Sequence, residues 1–336
     1  MSVSATAYPL PAGDGDAALG ERDTILQLLD TVVQAWASGD WDGAAACFAP
    51  HATLASSQHG LQRGASAIGT ALRRDLERAP HLCLQTSNHY IGGADGLATV
   101  SAYLFGELRA SPLFPGLLFS ASLVLELTAA PRRVQRLRLA IDWVEGEAEL
   151  VPHWNLAPGD SGWRMPPRLP LLASKLDLPW PHVRDFSLAG SAQDSAMEVF
   201  SRYAWALDQG DFALLASCFT EDALADFQPA GQVRGRQAVV SKLKAYCCPQ
   251  PWLQHFGDVL TVAVDETGLR ATMLVGRIVP RHALGPDGLP IYSAHYRMRL
   301  RRDHDLLWKL AVIEYCPGWV HAHQLEQLCA RAGMTA

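Results

Sequence analysis

Apolar positions recur at helical spacing near the start of the chain. Ile25, Leu28, Leu29, Val32, Val33 and Trp36 form one stripe along 21–37, and that spacing predicts a helix. "SGDW" breaks it, and "DGAAACF" starts a second short helix. "SAIGTALRRDLER" predicts a third, with Ile68, Ala71, Leu72 and Leu76 on one face. The pattern then changes to strands: "CLQTSNHYIGG", "LATVSAYLFGEL", "LFSASLVLELT" and "VQRLRLAIDWVEG".

The later part of the chain repeats this order. "VVQAWASGDWDGAAACF" (32–48) falls on "YAWALDQGDFALLASCF" (203–219) when Val32 is laid on Tyr203. With no gap, Gly60, Arg63, Gly64, Ala67 and Leu72 then fall on Gly231, Arg234, Gly235, Ala238 and Leu243. The same offset brings "LRLAI" (137–141) onto the last five residues of "LWKLAV" (307–312). A shared offset at both ends reads as one duplicated globular domain, since the period is too long for a solenoid. The strands of the second copy are "LQHFGDVLTVAV", "LRATMLVGRIVP", "IYSAHYRMRLRR" and "LLWKLAVIEY". The fold class is therefore α+β: two tandem cone-shaped α+β barrels, each with three helices packed on a curved, mostly antiparallel sheet. The first domain is assigned to 20–150 and the second to 191–325. The linker at 151–190 is rich in proline and tryptophan, which predicts an extended strap packed on the domains.

Composition narrows the partners. The chain has 336 residues, 49% apolar, and a net charge of −6, which fits two globular domains and gives no reason to expect nucleic acid or an anionic membrane. No run of about 18 apolar residues predicts a membrane span. The segment Met1–Asp23 lacks the basic and apolar regions of a secretory signal and reads as a disordered leader. Seven cysteines without a C-x-x-C pair read as reduced thiols of a cytoplasmic protein, with Cys47 and Cys218 in the core. No Cys/His cluster has zinc-ligand spacing, and no phosphate loop or nucleophile elbow is present. The expectation is no cofactor and no metal.

The order helix, "LDxGDxxxLxxCFxxDA", "GxxRGxxAxxxxL", strands resembles the SnoaL-like branch of the nuclear transport factor 2-like superfamily, over roughly 20–148 and 191–322. Relatives named by that resemblance include scytalone dehydratase, ketosteroid isomerase and polyketide cyclases, while other members catalyse nothing, so fold alone does not decide activity. The resemblance implies a His–Asp pair, carried here by Asp208 and His255. A carboxylate would fix the imidazole tautomer and balance the imidazolium formed when the ring takes a proton. The plainer reading makes Asp208 a cap of the turn "DQGD" and His255 a surface residue. Tyr203, Asp226, Tyr296 and Glu314 are the further pocket candidates. Arg234 and its twin Arg63 are expected to anchor the turn before the third helix. In the first copy Ala37 replaces the Asp, and Leu84, beside Gln85, sits where His255 would fall, so that copy reads as degenerate, with His51, His59, Asn88, His89 and Tyr103 left to line any pocket.

These residues point to a cofactor-independent acid–base enzyme, a dehydratase, isomerase or cyclase, for a hydrophobic small molecule such as a polyketide-like or terpenoid intermediate. A non-catalytic binding or carrier protein is the alternative. The sheet faces are expected to pair, as an intramolecular pseudo-dimer or a homodimer.

Overall fold

In the computed structural model, residues 20–94, 97–113, 116–129, 131–154, 156, 163–164, 191–247, 253–286, 288–321, 324 and 327–328 are described. Residues 1–19 of the expected leader, most of the strap, Cys248 and Cys329 lie outside them, while Glu21–Asp23, expected in the leader, are helical. The chain divides into two compact units. The first runs to Thr86 and from Ile91 to Pro181; the second takes Ser87–Tyr90 and continues from His182.

The first unit opens with α1 (Glu21–Ser38), whose buried stripe is the one the apolar spacing predicts. Glu21 and Asp23 lie in its first turn, where the helix dipole favours negative charge. Gly39, at φ 74°, ends it by returning its N–H to the Ala35 carbonyl. Next come α2 (Trp41–Ala44), β1 (Phe48–Ser56), β2 (Gly60–Arg63) and α3 (Ala65–Arg73). Four long strands follow: β3 (His81–Ala94), β4 (Leu97–Arg109), β5 (Leu117–Leu127) and β6 (Val134–Gly146). The sheet order is β2-β1-β6-β5-β4-β3, and a short β7 (Trp163–Arg164) pairs with β6.

The second unit repeats the plan with α4 (Ala192–Asp208), α5 (Phe212–Ser217), β8 (Phe219–Phe227), β9 (Gly231–Arg234) and α6 (Arg236–Cys247). It continues with β10 (Gly257–Val264), β11 (Arg270–Arg277), β12 (Ile291–Arg302) and β13 (Trp308–His321), in sheet order β10-β11-β12-β13-β8-β9. Helix α4 starts at a capping box. The Asp194 N–H donates to Ser191 Oγ at 3.1 Å, and the Ser191 N–H donates back to Asp194 Oδ2 at 2.8 Å.

The structure amends the sequence reading in several places. A hairpin, β1–β2 or β8–β9, separates the second helix from the third in each copy. The longer strand of that hairpin pairs parallel with the last strand, so each sheet is mixed. The common offset holds through the helices and the hairpin but not to the end. Phe48 pairs with Val134, and its twin Phe219 pairs with Leu310, whereas the offset would lay Val134 on Asp305. The second copy has a longer last hairpin, in which Leu300 faces Leu310 where the first copy sets Leu127 opposite Val134. Strand register, fixed by which face is buried, overrides the chance match of letters at that end. Finally, Cys218 is buried as expected, whereas Cys47 is only partly so, and none of the described cysteines forms a disulfide.

The paired glycines explain part of the repeated sequence. The N–H of Gly64 donates to the Ala52 carbonyl at 2.7 Å, and that of Gly235 to the Ala223 carbonyl at the same distance. Each turns the chain from hairpin into helix at positive φ, 84° and 92°. Gly64 has ψ 149°, a region essentially restricted to glycine. The neighbouring arginines Arg63 and Arg234 are exposed. Both Gly64→Ala and Gly235→Ala should therefore destabilise the protein by about 1–3 kcal/mol, though a Cβ meets open space or a single distant carbonyl. Urea unfolding midpoints measure this. An unchanged midpoint in either variant would show that this backbone conformation is not required.

Candidate functional site

In the second unit, α4 brings Phe200, Tyr203 and Asp208 to one end of the sheet. Asp208 is the last residue of the helix, and its side chain is 2% exposed. His255 precedes β10, with its side chain 8% exposed. The backbone N–H of His255 donates to Asp208 Oδ2 at 2.8 Å, and the ring Nδ1 is hydrogen-bonded to Oδ1 of the same carboxylate. An ionised carboxylate only accepts, so Nδ1 carries the hydrogen and Nε2 holds the lone pair. Nε2 makes no hydrogen bond with the described residues. The structure thus brings the two residues of the expected pair together, and Asp208 does more than cap a turn.

Asn88, one of the residues grouped with this unit, steadies the same strand. Its Nδ2 donates to the His255 carbonyl at 2.9 Å, and its Oδ1 accepts from the Gly257 N–H at 3.1 Å. Asn88 itself sits at φ 55°, a conformation asparagine tolerates better than most residues. Gly257 lets the strand close on α4, because a Cβ there would lie 2.5 Å from the Phe200 ring.

Tyr203 and Tyr296 are both buried and extend the dyad into an aromatic cluster. The Tyr203 ring meets His255 edge-on at 6.4 Å and Tyr296 at 6.5 Å, and Tyr296 packs on Phe200 at 5.7 Å and Tyr315 at 5.2 Å. Burial pushes both tyrosine hydroxyls above their ordinary range, so they stay neutral donors. The other two pocket candidates lie elsewhere. Glu314 is partly exposed and pairs with Arg297 at 2.8 Å, while Asp226 accepts from Gln232 Nε2 at 3.0 Å. Both alternate with inward residues of their strands, so the strand alternation places them on the opposite face from the dyad cluster.

The first unit holds a polar centre that sequence reading did not assemble. Asp75, in the single 3-10 turn after α3, is fully buried. Its Oδ2 accepts from Trp36 Nε1 at 2.9 Å, and its Oδ1 from Trp154 Nε1 at 2.7 Å. His59 Nε2 lies 3.0 Å from Oδ2 and 3.1 Å from Oδ1, and His153 Nε2 lies 2.6 Å from Oδ1. Burial alone would raise the Asp75 carboxyl. Hydrogen bonds from His153, His59 and Trp154, with the field of His59, outweigh it and hold the pKa at about 2. A cleft of about 360 Å³ opens beside the two imidazoles, lined also by Gln58, Gln62, Thr70 and Arg74. Of the first-copy residues expected to line a pocket, His59 does so, His51 is exposed, and Asn88 belongs to the other unit. His153 and Trp154, expected in the strap, pack into the first unit. A signal for Asp75 did exist: it follows Ile68 and Leu72 at the spacing of the apolar stripe, where an acid is out of place.

The model of the SnoaL-like domain family matches residues 17–165 and again 191–313. The chain belongs to the SnoaL-like family. Each match covers one copy of the repeat, as expected of a member of this family in which the domain is duplicated. Comparison with curated proteins gives no match. Solved structures similar to this SnoaL-like chain include Kfla4162 from Kribbella flavida, with 17% identity over 39% of this chain and 96% of that one, TM-score 0.35. A type 2 hexachlorocyclohexane dehydrochlorinase has 10% identity over 37% and 86%, TM-score 0.34. ActVI-ORFA from Streptomyces coelicolor has 17% identity over 37% and 98%, TM-score 0.32. No helix among the described residues is long and apolar enough to cross a membrane.

A second carboxylate near the dyad titrates in an accessible range. Burial raises Asp258 from the ordinary carboxylate range to about 6, against the opposing hydrogen bond from Tyr292 Oη at 3.1 Å. The folded protein therefore keeps this proton while the unfolded chain loses it between about pH 4 and pH 6. Stability falls as pH rises through that window and the loss is complete above it. Asp258→Asn removes the penalty, so the variant should be more stable than the parent by on the order of 2 kcal/mol at pH 8, with the difference shrinking toward pH 4.5. Urea midpoints at the two pH values check this, and a difference independent of pH would rule it out.

Proposed function

We propose that the second unit is an acid–base catalyst for a hydrophobic small molecule. The observation that carries this reading is the double hold of one buried carboxylate on His255, through its backbone N–H and its Nδ1. That hold fixes the ring and directs its basic nitrogen, Nε2, away from the carboxylate. Nε2 takes a proton from carbon next to a carbonyl, and Asp208 balances the imidazolium that results. The electron pair of the broken C–H bond moves into the carbonyl as an enolate. The imidazolium then returns its proton, either to a departing hydroxyl as water leaves or to another carbon of the enolate. The first outcome is elimination and the second isomerisation; ring closure uses the same enolate as nucleophile. Tyr203 and Tyr296 shape the apolar surroundings, and their neutral hydroxyls suit donation to a developing oxyanion. Family membership supports a shaped interior of this kind but does not name the substrate.

The test uses hydrophobic β-hydroxy ketones. Exchange of the α-proton for solvent deuterium is followed by NMR, and water loss by the absorbance of the enone. In Asp208→Asn the amide oxygen can still accept from the His255 N–H, but its NH₂ faces Nδ1 and drives the hydrogen to Nε2. The rate should fall roughly 10²–10⁴-fold with the fold intact. His255→Gln should lose at least as much. Rates equal to the parent in both variants would favour a carrier for hydrophobic ligands instead.

A further inference from the structure

The centre around Asp75 is not used by the dyad, and its residues have no counterparts in the second copy. At the common offset, His59 falls on Ala230 and Asp75 on Tyr246. The centre nevertheless collects donor atoms from separate segments: His59 from the β1–β2 turn, Asp75 from the turn after α3, and His153 from beyond β6. We propose that His59, His153 and Asp75 bind one divalent first-row transition metal ion, leaving a coordination position open to the adjoining cleft.

Four observations support the assignment. The first is donor geometry. One nitrogen of each imidazole and one carboxylate oxygen all lie within 4.8 Å of one another. Ligands about 2.0–2.1 Å from a tetrahedral zinc ion are roughly 3.3 Å apart. His59 Nε2 stands near that spacing, at 3.0 and 3.1 Å from the carboxylate oxygens. His153, at 2.6 Å, must retreat by about 0.7 Å to reach it, and it lies in a turn rather than a strand.

The second is the support behind the ligands. The carboxylate is held from outside by the Trp36 and Trp154 indoles, and His59 Nδ1 lies 2.9 Å from Ser56 Oγ. A metal at Nε2 takes the place of the hydrogen that Nε2 donates to Asp75, with the remaining hydrogen on Nδ1 donating to Ser56 Oγ. Such partners orient ligands and raise their affinity. The third is charge. Asp75 is fully buried, and the ionisable side chains that meet its oxygens are the two imidazoles, so a divalent ion suits the pocket. The fourth lies in the cleft. Gln58 is 7% exposed, and its buried Nε2 has no hydrogen-bond partner among the described residues. It lines the same cleft as the two histidines, where it could donate to an oxygen ligand of the metal. Two histidines, one carboxylate and an open position suit zinc or ferrous iron. Ligand spacing along the chain gave no hint of this site because its three members are brought together only by folding.

The test is direct titration of the full, chelator-treated chain with Zn²⁺ in a calorimeter, with Co²⁺ as an optical reporter. The expected result is one ion per chain, with the visible d–d absorption of a low-coordinate Co²⁺ site. Binding should weaken by about 100-fold or more in His153→Gln and in His59→Gln, and remain unchanged in Asp208→Asn. Circular dichroism confirms the fold of each variant, and His153→Gln, at a turn, is the one least able to disturb it. Absence of stoichiometric binding by the parent overturns the proposal. So does binding that survives both histidine substitutions, which would place the ion on the free thiols. Neither result bears on the Asp208–His255 reading, whose test uses the other unit.

Discussion

A carboxylate that enters an apolar interior must be met by donors there, and each unit of this protein is organised around one such group. Asp75 is fully buried, and the side chain of Asp208 is 2% exposed. An ionised carboxylate without partners in such a place costs several kcal/mol, against a typical total stability of about 5–15 kcal/mol. Neither group can be present without its donors. In the second unit His255 supplies two of the donors, from its backbone and its ring. In the first they come from four: two indoles and two imidazoles.

That difference decides what each centre can do. Asp208 leaves the far nitrogen of a single imidazole free, which is the arrangement of an acid–base pair. Asp75 draws the same nitrogen of two imidazoles to one point, which is the arrangement of a binding site for a cation. The scaffold does not choose between them. Both copies share the glycine-dependent turn from hairpin to helix and the parallel pairing of the hairpin with the last strand. The two centres occupy different places in the repeated plan, and the side chains there carry the chemistry.

The fold was legible in the sequence because it is written twice. Helical stripes, strand runs and the turn glycines each appear in both copies, so that chance agreement at one place is checked at another. The short hairpin strands escaped notice, since β1 and β8 contain few alternating apolar residues and sit between helices. The last strand was aligned out of step, because a match of letters carries no information about register. The Asp208–His255 pair was legible through family resemblance and a helix-end position. The Asp75 centre was not, because His59, Asp75 and His153 have no fixed spacing. Only the acid on an apolar stripe marked it.

The copies also show why such a centre is not easily transferred. Trp36 falls on Leu207 and Asp75 on Tyr246 at the common offset. Trp36 is 3% exposed, and its indole N–H needs a buried acceptor, which Asp75 supplies at 2.9 Å. Leu207 has no donor to satisfy, and Tyr246, 51% exposed, points to solvent. An aspartate placed at 246 would meet no indole and would stay in water. The reverse also holds, since Ala37 stands where Asp208 would be, and a carboxylate there would find no imidazole tied by its own backbone. Donor and acceptor must change together, so each copy keeps its own solution to the same constraint.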